Sequence, residues 1–307
     1  MESFSSIECF IRSAEVGSFA EAARRLSLTP AAVGKSVAKL ESRVGVRLFQ
    51  RSTRRLTLTE AGKLFLAEVG PSLTTIQNAV ANLASAEGRP VGTLKVSMGV
   101  LTGVMYIVPL LGEFLRRYPE ITPDWHFDNR QIDLIGQGFD AAIGGGFELP
   151  QGVVARRLTP AHRVLVASGD YLAQHPAILT PVDLEHCYGI LIRSPQTGRV
   201  RTWQLTSRTR EQAPLSLKAR MTMSDSQAAC VAASQGLGVA LVSMPFAVPY
   251  LRSGELQRVL ADWYVDDGNI SIYYAEHKLL PGKTRVFVDF IIEQFGEQEL
   301  ARRFSAI

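Results

Sequence analysis

Residues 18 to 62, SFAEAARRLSLTPAAVGKSVAKLESRVGVRLFQRSTRRLTLTEAG, constrain the fold more than any other part of the chain. Ser18 precedes Phe19 and is followed three positions later by Glu21, the pattern of a capping-box helix start. Ala22, Ala23 and Leu26 then recur at the spacing of adjacent turns, and the polar Ser27 and Thr29 interrupt the pattern. The helix that they predict is short. Thr29 can cap a second helix with its hydroxyl, and Pro30 suits the first helical position, where a missing N–H costs nothing. In that second helix Val33, Val37 and Leu40 form the stripe expected to be buried. The opposite face carries Ala31, Ala32, Lys35, Ser36 and Lys39, small or basic side chains that let a helix enter a major groove.

Beyond this helix Arg47, Arg51, Arg54 and Arg55 surround Leu48 and Phe49, and the alternation of Leu56, Thr57, Leu58 and Thr59 predicts a two-stranded wing. Residues 1 to 62 hold 10 Lys and Arg against 6 Asp and Glu, whereas residues 63 to 307 hold 23 of each. The formal charge of +4 therefore sits in the first fifth of the chain. Such segregation is the footprint of a nucleic-acid module joined to a neutral domain. A solvated helical hairpin with ordinary surface arginines is the competing explanation of the cluster alone. The residues expected to meet DNA are Ser18, Thr29, Pro30, Ala31, Ala32, Lys35, Ser36, Lys39, Arg51, Arg54 and Arg55.

The sequence resembles the LysR-type transcriptional regulators over nearly its full length. The resemblance rests on Leu40, Glu41, Gly45, Leu48, Phe49, Arg51, Leu58, Thr59, Ala61 and Gly62, which match the family's LE, Gly, LF-x-R and LT-x-aG signature. In mid recognition helix, relatives usually place a Ser and then an Arg, where this chain has Gly34 and Lys35. Glycine there costs about 1 kcal/mol of helix stability relative to alanine.

A length of 307 residues predicts about two domains, the second large enough for a proper core. Cys9, Cys187 and Cys230 are scattered and odd in number, without metal-ligand spacing, so they are expected to be buried or idle thiols. No metal or cofactor is expected. The N-terminus MESFSSIECF has no long apolar run, which excludes a signal peptide and a membrane span and predicts a cytoplasmic protein.

Phe65, Val69, Leu73, Ile76, Val80 and Leu83 predict a helix with an apolar stripe that pairs with another helix, either within its own chain or in a second copy. Gly70 and Pro71 predict a kink or a split within it. In the resembling family this linker helix is the dimer contact. EGRPVGT, residues 87 to 93, marks a hinge. Beyond it, strand-like and helical runs alternate, which predicts α/β subdomains with largely parallel sheets.

The resemblance specifies more. Phe114, Tyr118, Pro119, Asp128, Arg130, Asp133, Leu134, Gly138, Phe139, Asp140 and Ala142 match a first effector subdomain of one LysR-type subgroup. Ala155 to Leu158, Ala167, Ser168, Tyr171, Leu172, Trp203 and Gly236 to Gly238 match the second, and Val286 to Phe290 match the closing helix. The expected architecture is an N-terminal all-α winged helix-turn-helix at 1–58, a linker or dimerisation helix at 59–88, and an α/β effector domain at 89–307. That domain is expected to form two Rossmann-like lobes of the periplasmic-binding-protein type II kind, lobe 1 at about 92–160 and 268–300 and lobe 2 at about 161–267.

Strand-to-helix turns offer free N–H groups that suit an anion. The first-lobe candidates are Val100, Leu101, Thr102 and Gly103, with an ordinary connecting loop as the alternative. A second turn, Gly145, Gly146 and Phe147 after Gly144, allows close backbone approach and an aromatic cover. Relatives commonly carry an Arg where Gly144 stands, and the subgroup's Pro and Phe in the first turn are absent from MGVLTG. From the second lobe the candidates are Arg193, Ser194, Ser224 and Ser243. Arg193 either supplies an anion partner or is a solvated surface arginine. Asp225 is expected to cap its own helix, and Trp203 to belong to the core.

The function expected is a transcription factor that binds promoter DNA and responds to a small-molecule effector of anionic or aromatic character. The other expected partners are a second copy of the chain, in a dimer or tetramer, and RNA polymerase, with no membrane. The alternatives are a cytoplasmic α/β enzyme or a solute-binding protein with a fused basic module. Against the enzyme stand the dispersed His126, His162, His175, His186 and His277 and the lack of a nucleophile elbow, phosphate loop or dinucleotide fingerprint.

Overall fold

Three helices open the chain because each begins and ends on residues suited to it. α1 spans Phe4–Val16, α2 Phe19–Leu26 and α3 Pro30–Val44. Ser18 caps α2, its side chain accepting from the Glu21 N–H, and Thr29 caps α3 by accepting from Ala32. Gly45, with φ of 75°, closes α3 in the left-handed conformation that glycine adopts without strain. Val33, Val37 and Leu40 are fully buried and pack with Phe10, Ala22 and Ala23 of the first two helices. The structure, a computed structural model, describes residues 4–51, 56–84, 90–146, 151–276 and 280–307.

The wing is a short antiparallel pair, β1 Phe49–Arg51 and β2 Leu56–Leu58, with Phe49 opposite Leu58. Its root is held by Glu41. This buried carboxylate accepts from the Leu48 and Phe49 N–H groups at 2.9 and 3.0 Å and from Arg47 at 3.2 Å. Thr59 ties the other side: its hydroxyl donates to the Arg47 carbonyl and accepts from the Gly62 N–H, and its own N–H donates to the Leu48 carbonyl. A Cβ at Gly62 would stand 2.1 Å from the Leu48 carbonyl oxygen, so only glycine admits this approach.

α4, Glu60–Ala84, is one continuous helix, so of the kink or split expected at Gly70 and Pro71 the split does not occur. A proline removes one N–H donor, and the bonds on either side suffice to continue the helix. The first part of its apolar stripe packs on its own chain: Leu73 is buried, with Phe65, Leu66 and Val69 against the same core. Ile76, further along, is exposed.

The chain divides into two compact units, Met1–Arg89 with Asp133–Phe139, and Pro90–Ile132 with Asp140–Ile307. The second begins with β3 Gly92–Met98 and a helical stretch that runs from α5 Val100–Thr102 through a π turn and a 3-10 turn to α6 Leu111–Arg117. β4 Ile121–Phe127, β5 Ala141–Gly145 and the long β6 Val153–Ala167 follow. Then come α7 Gly169–Ala173, β7 Tyr188–Ile192, β8 Gln204–Ser207, β9 Gln212–Pro214 and β10 Lys218–Met223. α8 Ser226–Ser234, β11 Val239–Ser243, α9 Met244–Ser253, β12 Gln257–Val259, the long β13 Trp263–Ala275, α10 Gly282–Glu297 and α11 Leu300–Arg303 complete it.

The main sheet runs β10-β7-β11-β6-β13-β5-β3-β4. It is parallel toward both ends, where β10 joins β7, β7 joins β11, β5 joins β3 and β3 joins β4. Its middle is antiparallel, which corrects the expectation of largely parallel sheets. The reason is topological: β6 carries the chain out of one half and β13 brings it back, so the two strands run in opposite directions through both halves.

Between Asp266 and Asn269 the register of β13 against β6 shifts, so Asp267 and Gly268 are looped out as a bulge. Gly268 has φ of 82°, and the bulge turns the Asp267 side chain toward the cleft between the halves.

Candidate functional site

Two surfaces carry the expected residues. On the first, Pro30, Ala31, Lys35 and Lys39 are exposed along α3, and Ala32 is half-buried. Ser36 is half-buried and hydrogen-bonds toward the Cys9 thiol of α1, so it sits at the edge of the packed face rather than on the free one. Ser18 and Thr29 spend their hydroxyls as helix caps. Gly34 leaves open space where a side chain would stand. Arg54 and Arg55 lie outside the described residues, as does the side chain of Arg51.

The second surface is a cavity of about 560 Å³ in the effector unit, walled by the ends of β3, β5, β7 and β11 and by the β13 bulge. This size falls within the roughly 300–1,000 Å³ usual for small-molecule sites. Of the candidates read from the sequence, it brings together Thr102, Gly145, Gly146, Arg193, Ser194, Ser224 and Ser243. Val100, Leu101 and Gly103 are not part of its wall. Gly103 is a packing glycine, since a Cβ there would meet the Phe127 ring at 2.4 Å. Phe147 lies outside the described residues.

Gly145 and Gly146 do allow close approach, but the group that approaches is the chain itself. A Cβ on Gly145 would lie 2.1 Å from the Asn269 carbonyl oxygen, and one on Gly146 would lie 2.9 Å from an Asp267 carboxylate oxygen. The glycines therefore seat the bulge.

Sequence reading missed the charged end of the cavity. Asp267, 8% exposed in its side chain, accepts from Arg163 Nε at 2.9 Å and from Arg201 at 3.4 Å. Both guanidinium groups lie over the Trp203 ring, at 4.8 and 4.1 Å from its centroid. Trp203 is thus a half-buried wall of the cavity as well as a neighbour of the core, which amends its expected place. Two signals could have found this end: arginines flanking a tryptophan in RVRTWQ, and a glycine inside the strand-like WYVDDGNISIYY, which marks a bulge.

At the opposite end the first turn is already occupied. The Val100 N–H donates to Asn129 Oδ1 at 3.0 Å, and Asn129 Nδ2 donates to Asp225 at 3.4 Å. Asp225 caps α8, accepting from the Ala228 N–H, as its sequence position implies. Nearby, Arg130 holds the Asp128 carboxyl below its usual range through hydrogen bonds from its side chain and backbone. Deep in the wall, burial pushes the Tyr273 phenol up to about 12. Among the described residues no cluster of metal ligands occurs. All three cysteines are free and buried, and burial raises each thiol, Cys230 to about 12, which disfavours the reactive thiolate.

Known proteins match both units of the chain. Residues 4–63 match the bacterial regulatory helix-turn-helix protein of the lysR family, and residues 87–296 match the LysR substrate binding domain. The chain belongs to the LysR family of transcriptional regulators. An HTH-type transcriptional regulator of Xanthomonas campestris is 32% identical over 94% of this chain and 84% of its own length. PtxR of Pseudomonas aeruginosa is 28% identical over 94% and 92%. Among solved structures, the full-length Vibrio cholerae virulence activator AphB, itself an LTTR, has a TM-score of 0.60 at 26% identity over 95% of this chain and 99% of its own. CrgA of Neisseria meningitidis has a TM-score of 0.59 at 26% identity over 96% and 100%.

For this LysR-type regulator the enzyme and solute-binding alternatives are set aside, since the relatives are transcriptional regulators and the helix-turn-helix is intact. No described helix is long and apolar enough to cross a membrane.

Proposed function

We propose that this LysR-type regulator binds promoter DNA as a dimer or tetramer in the cytoplasm, inserting α3 into the major groove, and that a small molecule in the effector-unit cavity changes its regulatory state. The observation that carries the first part is the two-sidedness of α3: Val33, Val37 and Leu40 are fully buried, while Ala31, Lys35 and Lys39 face outward. Lys35 and Lys39 contribute phosphate or base contacts, and Arg51, Arg54 and Arg55 contribute phosphate contacts. The exposed Ile76 of α4 supports pairing of this helix with a second copy, which would set two reading heads on a two-fold axis. Closure of the cavity on its ligand shifts the population between two arrangements of the assembly and alters DNA bending or contact with RNA polymerase.

The test is retention of fragmented genomic DNA by the purified protein at two salt concentrations, followed by sequencing. Recovery of a few inverted-repeat promoter sites is expected; salt-sensitive retention without sequence enrichment would overturn the reading. Lys39→Ala should lower the salt slope of binding by about one unit, the loss of one phosphate contact.

A further inference from the structure

The two ends of the cavity differ in charge and in what they leave unspent. Arg163 and Arg201 share one carboxylate, Asp267, so this end carries a net positive charge. Each guanidinium gives a single N–H to Asp267, and among the described residues neither has another hydrogen-bond acceptor. Planar guanidinium groups held over an indole have their remaining donors preorganised for a second carboxylate. Asp267 itself is fixed by its bulge and by the glycines that seat it. The other end offers the reverse. The Val100 N–H is spent on Asn129, and the Asp225 carboxylate stands behind that amide. An anion there would displace an existing bond and face a negative charge.

Between the ends the wall carries an apolar strip of Ile143, Ile192, Leu241, Phe246 and Ile270, beside the polar Arg193, Ser194, Ser224 and Ser243. An inorganic anion would leave this surface in water, whereas an organic acid would cover it.

We infer that the effector is an organic carboxylate whose carboxyl group is held by Arg163 and Arg201 at the Trp203 end of the cleft, with its apolar body against the β5, β7 and β11 wall. This deepens the reading of the cavity as the effector site and rests on it. Arg163 and Arg201 are thereby ligand-binding residues, and the helix-start residues around Thr102 line the body of the ligand rather than its charge.

The test is calorimetric titration of the full chain with benzoate and cyclohexanecarboxylate, their neutral amides, and sodium sulfate. Both carboxylates are expected to bind the wild type, at least about tenfold more tightly than the amides, as a charge-assisted hydrogen-bonded pair requires. Sulfate should bind no better than the amides. Arg201→Gln, which leaves Arg163 to partner Asp267 and so preserves the fold, should erase the preference for carboxylate over amide. Arg201→Lys should recover only part of it, because lysine lacks the planar fork. Asn129→Ala and Arg193→Gln should keep the preference.

Equal binding of acids and amides, binding of sulfate as tight as that of the acids, or no binding of either acid would overturn the carboxylate assignment. Loss of the preference in Asn129→Ala or Arg193→Gln, with retention in Arg201→Gln, would overturn its place. Promoter-fragment retention by the wild type and by Arg201→Gln is measured in parallel. Its absence in the wild type would count against the regulator reading alone, since the acid and amide comparison does not involve DNA.

Discussion

The N-terminal and effector units each bury a carboxylate, and they satisfy it in opposite ways. Glu41 receives its hydrogen bonds from Leu48 and Phe49, seven and eight residues further on. Asp140 receives the Lys283 ammonium, 143 residues further on, at 2.8 Å, together with the Lys95 N–H at 2.9 Å. Lys283 also donates to the Thr93 carbonyl, so one ammonium ties the start of α10 to β3. The physical problem is the same, since a buried charge costs several kcal/mol unless it is paired. The difference is the length of chain that has to be ordered first. A bond between neighbours is written in a short motif, whereas a bond across the fold exists only once the sheet has formed.

Each unit should lose stability separately when its own carboxylate network is cut. The largest effect is expected from Lys283→Met, which leaves the Asp140 carboxylate buried without its ammonium and should cost about 3–5 kcal/mol. Scanning calorimetry should place that loss in the effector-unit transition, and the double variant with Asp140→Leu should recover only part of it, because the Lys95 N–H then loses its acceptor. A loss of under about 1 kcal/mol would reduce the pair to the worth of a surface contact. Next, Glu41→Ala strands two buried N–H groups and should cost about 3 kcal/mol, confined to the N-terminal transition. An equal fall in both transitions would show that the local network is not local in effect.

The effector unit also carries a titratable contact. The Ala306 N–H donates to His162 Nδ1 at 2.9 Å, a bond that needs a neutral ring at that nitrogen. Burial lowers the ring's proton affinity; Asp266 opposes this, and Arg157 and Arg258 reinforce it. The folded state therefore binds its proton less readily than the unfolded chain, whose histidine titrates near 6.5. This stabilisation is present above about pH 6.5 and is lost as pH falls from there through the lower folded value. The effector-unit melting temperature should drop from pH 7.5 to 5.5, and His162→Asn, which keeps an acceptor without titrating, should drop less. Equal drops would remove His162 from the linkage. The smallest effect should come from Gly34→Ala, which fills open space on α3 and should stabilise the N-terminal unit by about 0.5–1 kcal/mol. Any destabilisation would mean that the glycine serves the backbone there.

The legibility of the two units follows the same division. Ser18, Thr29, Pro30 and the Val33, Val37 and Leu40 stripe could be read directly, because a cap acts on an N–H three residues away and a stripe follows from helical pitch. The alternation at Leu56 to Thr59 was legible for the same reason. The split does not occur at Pro71 because one lost hydrogen bond is small beside the many that sustain a long helix. In the cleft, Thr102, Arg193, Ser194, Ser224 and Ser243 were found because they follow strands, and strand ends converge in α/β folds. Arg163, Arg201 and Asp267 were not, because no local rule brings residues 66 and 104 positions apart onto one carboxylate.

The helix starts at Ser18 and Thr29 and the wing follow from local sequence, because they depend on bonds within a turn or two of the chain. The positive end of the cleft, the bulge seated on Gly145 and Gly146, and the Trp203 wall arise only in the folded chain. Those outcomes depend on β13 returning beside β6 with a shift in register, which sets distant charges within hydrogen-bonding reach.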